Sequence, residues 1–165
     1  MKKVKGKVWK YGDDVNTDVI FPGKYTYTIS NPEEMAKHAL EDLDPSFVEN
    51  VKKGDIVVAG KNFGCGSSRE QAATCIKYAG IGAIVAKSFS RIFFRNAINQ
   101  GLPVIQCEEA VNAISNGEEV EIDFEKGELY CNKGKFHFSP LPDFILEILR
   151  DGGLIPYVRK SILKD

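Results

Sequence analysis

The sequence predicts an α/β fold in which a partly parallel central sheet is flanked by helices and gives way, toward the C-terminus, to antiparallel hairpins. Three observations carry this. Two apolar runs, Ile56-Val57-Val58-Ala59 and Ala83-Ile84-Val85-Ala86, each precede a segment of helical apolar spacing, as buried parallel strands precede their crossover helices. Val120, Ile122 and Phe124 alternate with acids, and a Lys126-Gly127 turn leads into two further short strands. With 165 residues, 43% apolar and 27% charged, the chain is expected to be one globular domain, residues 1–165, with its own core.

In order along the chain, Val4 to Trp9 alternates apolar and polar residues and reads as the first strand. Tyr11 to Pro22 has no period and reads as a loop of turn formers, with Asp13, Asp14, Asn16, Thr17 and Asp18 in it. Asn31, Pro32 and Glu34 start a helix whose apolar face runs through Met35, Ala36, Ala39, Leu40 and Leu43. Gly54-Asp55 turns into the second strand, Asp55 to Gly60.

Lys61 to Ala72 then forms a glycine-rich turn into a helix carrying Ala72, Cys75, Ile76 and Ala79 on one face. Ser67 or Ser68 stands where a helix cap is expected. Gly64 and Gly66 allow a ligand to approach the backbone. Free amides at a helix start favour an anion, and Arg69 adds a fork suited to carboxylate or phosphate. These residues alone mark a small-anion site, not a reaction.

After the strand at Ala83–Ala86, Ser88 or Ser90 caps a helix through Gln100, with Phe89, Phe93 and Ala97 inward and Arg91, Arg95 and Asn96 at its rim. Pro103 to Cys107 is a strand and Glu108 to Ser115 a short helix. Glu128–Cys131 and Lys135–Phe138 are antiparallel strands, and Pro142-Asp143 opens a last helix ended by Gly152-Gly153. His38 and His137 are read as ordinary surface or core residues, His137 facing solvent.

Net charge is −1 and no basic run is longer than Lys2-Lys3, so binding to nucleic acid or a membrane surface by field alone is not expected. No stretch has the length of a membrane span or the character of a secretory signal, and a cytoplasmic location is expected. Cys65, Cys75, Cys107 and Cys131 lie far apart without a Cys-x-x-Cys pair. Reduced thiols are therefore expected, with no metal or iron–sulfur cluster held by this chain alone. Cys65 stands apart only in lying within the glycine turn.

The string Asn-Phe-Gly-Cys-Gly-Ser-Ser-Arg-Glu resembles the signature of the aconitase superfamily's swivelling domain, in the form of the separate small-subunit family of 3-isopropylmalate dehydratases. Asp-Val-Asn-Thr-Asp-Val-Ile-Phe-Pro is similar to a second stretch of that family. Ser-Phe-Ser-Arg-Ile-Phe-Phe-Arg-Asn-Ala is similar to a third, whose usual form has Ala at Ser90. The likeness runs from Val15 to Tyr157. It implies the swivelling β/β/α fold and a reaction in which a hydroxy acid loses water and regains it one carbon away. In that family a [4Fe–4S] cluster acts as Lewis acid on the hydroxyl and a serine takes a proton from carbon.

Carried over by motif, Ser67 matches the base, Ser68 and Arg69 the carboxylate-binding groups, and Asp18 an acid supporting the site. Cys65 and Gly66 of the turn, with Tyr27 and Thr28 of the loop 24–28, complete the implied substrate-binding set. Physical chemistry alone does not separate Ser67 from Ser68. The cluster is expected in a large partner subunit, and the substrate is expected to be a small hydroxy-dicarboxylate. Tyr27 favours an uncharged alkyl substituent such as isopropyl, whereas Lys24 keeps an acid within reach, so homoaconitate and 2,3-dimethylmalate stay as alternatives. A nucleotide-binding module is disfavoured because the loop lacks both a Gly-Lys-Ser/Thr ending and Gly-x-Gly-x-x-Gly spacing. The other rivals are a Cys65 nucleophile and a purely structural subunit.

Overall fold

The computed structural model describes residues 3–163; Lys2 of the basic pair lies outside them. Among the described residues seven strands form one sheet: β1 (Lys3–Lys10), β2 (Ile56–Ala59), β3 (Ala83–Ala86), β4 (Val104–Gln106), β5 (Glu119–Asp123), β6 (Glu128–Cys131) and β7 (Gly134–His137). Their order is β4-β3-β2-β1-β5-β6-β7. The strand β1 is the hinge between two regimes. On one side it pairs parallel with β2, Val8 opposite Ile56, and β3 and β4 continue the parallel half. On the other side it pairs antiparallel with β5, Val4 opposite Ile122, followed by the hairpins β5-β6 and β6-β7. This is the mixed sheet that the apolar runs and the alternating tail predict.

Strand periodicity divides the core in two. Trp9, Val57, Ala59, Ile84 and Ala86 face one side, and Val8, Ile56, Val58, Ala83 and Val85 face the other. The first face is covered by α4 (Gln71–Tyr78), α5 (Arg91–Asn99) and α7 (Asp143–Arg150), and the second by α6 (Glu108–Ala113) and the hairpin residues Phe124 and Leu129. Both faces being buried explains why the central strands are apolar without alternation. Asp55, 4% exposed, joins β1 to the entrance of β2. Its carboxylate accepts hydrogen bonds from the amides of Lys7 (3.2 Å) and Lys52 (2.9 Å) and from Trp9 Nε1 (3.0 Å).

Several local expectations are corrected. The loop 11–22 contains a one-turn helix, α1 (Thr17–Ile20), whose first turn is capped by Asn16 through a 2.9 Å bond from the Val19 amide. The helix begun at Asn31, α2 (Pro32–Ala36), ends well before Leu43. The chain turns instead through Leu40 at φ +57°, which buries Leu40 and leaves Leu43 exposed. A short α3 (Ser46–Asn50) and a C-terminal α8 (Leu154–Leu163) were not anticipated; Pro156 falls in the first turn of α8, where its missing N–H costs nothing. The helix α6 ends at Ala113, short of Ser115.

Candidate active site

The loops that follow β1, β2 and β3 leave the same edge of the sheet, beyond the C-terminal ends of parallel strands, where open α/β sheets place ligands. They are joined backbone to backbone. Gly64 N donates to Val15 O and Thr17 N to Cys65 O, both at 2.8 Å, so the glycine turn runs as a bridge alongside Asn16. On its other flank Phe63 N donates to Ser88 O and Ser90 N returns a bond to Phe63 O. Gly64, at φ +81°, is where the turn presses on α5: a Cβ there would lie 2.2 Å from the Phe93 ring. Of the two candidate caps for α5 it is Ser90 that accepts from Phe93 N, at 3.2 Å, and its hydroxyl also donates to Gly64 O at 2.9 Å. Ser88 instead accepts from the Asn62 amide.

The helix α4 starts only at Gln71, with Glu70 at its cap position and no side-chain cap bond. Ser67 and Ser68 are therefore not its capping residues, against the expectation from sequence, because the turn continues through Ser68 before helical geometry sets in. Both serines are exposed, next to Gly66 at φ +96°. Cys65 is half-buried in the same turn.

Arg69 links this turn to the rest of the site. Its side chain is only 15% exposed, and its Nη2 donates to Asp18 Oδ1 while its Nη1 donates to Thr26 Oγ1 at 2.6 Å. Thus α1, the loop 23–28 and the glycine turn meet at one guanidinium. Gly23, which opens a 3-10 turn over Gly23–Tyr25, fits against the same pair: a Cβ there would stand 3.2 Å from Asp18 Oδ1 and 3.7 Å from Arg69 Nη1. Two buried polar atoms at the site lack a protein partner, Arg69 Nε and Thr17 Oγ1, the latter 3.5 Å from where a Gly66 Cβ would be. Tyr27 is 98% exposed and Thr28 is exposed beside it. The structure thus brings Asp18 and Arg69 into contact next to Cys65, Gly66, Ser67 and Ser68, and holds Tyr27 and Thr28 on an adjoining loop.

Behind that loop lies a network that sequence reasoning missed. His38 Nδ1 is 2.7 Å from Glu41 Oε2, and the Tyr25 ring lies 4.1 Å from the His38 ring, tilted by 31°. Burial pushes the Glu41 carboxyl up, but hydrogen bonds from His38 and Tyr25 outweigh it and hold Glu41 below its ordinary value. The bond to Glu41 pushes the Tyr25 phenol up, with burial adding to it. Asn16, read as a loop residue, carried a local signal that marks a cap, an Asn placed before Thr17-Asp18-Val19; Thr26, 43 residues from Arg69, carried none. Among the described residues no three His, Cys, Asp or Glu side chains come together as metal ligands. Likewise, no described helix is long and apolar enough to cross a membrane.

Comparison with known proteins places these features in a wider set. Residues 10–110 match the model of the aconitase C-terminal domain. A 3-isopropylmalate dehydratase small subunit of Caldicellulosiruptor saccharolyticus is 56% identical, with 98% of this chain and 94% of that one covered. A 3-isopropylmalate dehydratase small subunit 1 of Thermotoga maritima is 55% identical, with 95% of each chain covered. Among solved structures, a 3-isopropylmalate dehydratase from Methanocaldococcus jannaschii superposes with a TM-score of 0.91 at 48% identity, covering 98% of this chain and 96% of the other.

Proposed function

The chain belongs to the 3-isopropylmalate dehydratase small-subunit family, built on the aconitase C-terminal domain, and from that premise we infer that it carries the base and the carboxylate grip of a hydro-lyase of leucine biosynthesis. The reaction interconverts 2-isopropylmalate and 3-isopropylmalate by loss and return of water. The observation that carries the reading is local: two adjacent hydroxyls, Ser67 and Ser68, are left free of helix capping beside an arginine held by Asp18.

Ser67 takes the proton from the carbon next to the one that loses its hydroxyl, and the return of proton and water to exchanged carbons completes the isomerisation. A serine oxygen is a costly base in water. It becomes usable when negative charge on it is met by the nearby helix start and the Arg69 guanidinium in a water-poor site. Ser68 and Arg69 hold a substrate carboxylate, and Asp18 holds Arg69. Tyr27 and Thr28 meet the substituent, and the uncharged, exposed Tyr27 ring suits an isopropyl group. Cys65 and Gly66 shape the floor of the turn.

This chain's residues do not fit an iron–sulfur cluster: its four cysteines are free and apart, with Cys75 and Cys107 buried. The reading assigns a [4Fe–4S] cluster to a large partner subunit, where it supplies a Lewis acid to the leaving hydroxyl. The exposed serines and Tyr27 then lie at the junction of the two chains in the cytoplasm, with residues 1–165 acting as one swivelling domain.

The test is anaerobic reconstitution with a cluster-bearing large subunit from the same organism, with 3-isopropylmalate, homoaconitate, citrate and 2,3-dimethylmalate compared. The expected result is preference for 3-isopropylmalate and a kcat reduced at least about a hundredfold by Ser67→Ala, the scale of a lost general base. Absence of hydro-lyase activity with every substrate, from a large subunit shown to carry its cluster, would sink the reading.

A further inference from the structure

Resting on that reading, we propose that Thr26 is a positioning residue that sets the spacing between the carboxylate grip and the alkyl-reading ring. Arg69 belongs to the glycine turn and Tyr27 to the loop 23–28, and these segments are 43 residues apart at the point where they meet. The Thr26 hydroxyl accepts from Arg69 Nη1 at 2.6 Å, while the very next side chain, Tyr27, projects into solvent at 98% exposure.

The guanidinium has a second tether, Asp18, but Asp18 precedes the loop and lies on α1. Asp18 therefore orients Arg69 without fixing where Tyr27 stands. Thr26 does both, because its amide also donates to Gly23 O (3.1 Å) and closes the 3-10 turn that carries the loop. Gly23 allows the loop to approach Asp18 and Arg69 without a side chain between them. Arg69 Nε is buried and unpartnered, and Nη1 and Nη2 each carry a second N–H beyond the one given to Thr26 or Asp18. A hydrogen bond from a charged group in this position is among the stronger kinds.

A group that holds the substrate's carboxylate equally in the ground and transition states acts on KM rather than on kcat. Thr26→Val removes the hydroxyl at nearly constant shape, and Thr26→Ser keeps it. In the reconstituted two-subunit enzyme, Thr26→Val is expected to raise KM for 3-isopropylmalate about tenfold with kcat within about twofold, and Thr26→Ser to restore KM. In parallel, the side-chain Nε–H resonance of Arg69 in the full chain is expected to shift and broaden in Thr26→Val and to return in Thr26→Ser. An unchanged KM in Thr26→Val, or an Arg69 resonance indifferent to it, overturns the proposal, as does a serine variant that behaves like valine. If the wild-type pair turns over none of the substrates, the functional reading fails instead, and the Arg69 resonance still decides the role of Thr26.

Discussion

Replacing Gly64 by alanine tests whether the glycine turn is fixed by the helix behind it. Two costs add. At φ +81° an alanine sits in the left-handed region, at about 1–2 kcal/mol. Its methyl would stand 2.2 Å from Cγ and 2.3 Å from Cβ of Phe93, against an ordinary carbon contact of about 3.5–4.0 Å. Phe93 has little room to retreat: it is 1% exposed, meets Phe63 edge-on at 5.2 Å, and lies parallel to Phe89 at 6.3 Å. Overpacking of this kind costs about 1–3 kcal/mol. The reduced freedom of the unfolded alanine chain returns roughly 0.4–1 kcal/mol, leaving a net loss of about 2–4 kcal/mol. In urea, with an m-value of about 2 kcal/mol/M, the midpoint is expected to fall by about 1–2 M at unchanged m. A double-mutant cycle separates the terms: in a Phe93→Ala background the ring atoms Cγ and Cδ2 that the methyl meets are gone and the remaining Cβ has space to move into, so Gly64→Ala should cost clearly less than in the wild type. A midpoint shift below about 0.3 M, or equal costs in both backgrounds, would refute the argument.

Two further outcomes follow from side chains already placed. Ser90→Ala removes a helix cap and the bond to Gly64 O, and should lower stability by about 1–2 kcal/mol, read as a Tm drop of about 2–8 °C. Burial pushes the Asp44 carboxyl up, but bonds from the Ser46 hydroxyl, the Tyr11 phenol and the Ser46 amide outweigh it and hold the group below its ordinary value of 3.8. A depressed folded value contributes stability above the unfolded value and loses it as pH falls through the folded one. Asp44→Asn should therefore lower the urea midpoint at neutral pH and match the wild type well below pH 3.8; an equal deficit at both pH values contradicts the assignment.

What was legible in the sequence is what local pattern encodes. The strands β2 and β3 announce themselves as apolar runs because both faces of the sheet are covered, and the hairpins β5-β6-β7 as alternation closed by turns. The motif residues Asp18, Ser67 and Arg69 could be picked out, but their contact could not, since no local period places residue 18 against residue 69. The end of α2 was misjudged for the same reason: Met35 to Leu43 has helical spacing, and only the pocket that buries Leu40 completely makes the chain turn early. Ser67 and Ser68 stand at a position where a cap is expected, because a hydroxyl before an apolar helix usually is one; here the helix begins only at Gln71. The helix α3 is five residues long, too short for a periodic pattern to show.

The stitching of the three loops at the sheet edge has a consequence for inheritance. Ser67 and Ser68 hang from a strip of backbone bonded on both flanks, through Val15 and Thr17 on one side and Ser88 and Ser90 on the other. Substitution of the exposed side chains of Ser67 and Ser68 leaves these bonds in place, because they are made by the main chain. Tyr27 hangs from a separate arm, whose tie to that strip through Arg69 is one hydroxyl. With Tyr27 and Ser67 in the roles proposed above, descendants of such a chain could change which substituent the arm accepts by altering a few exposed residues, while the proposed proton-transfer strip is passed on untouched.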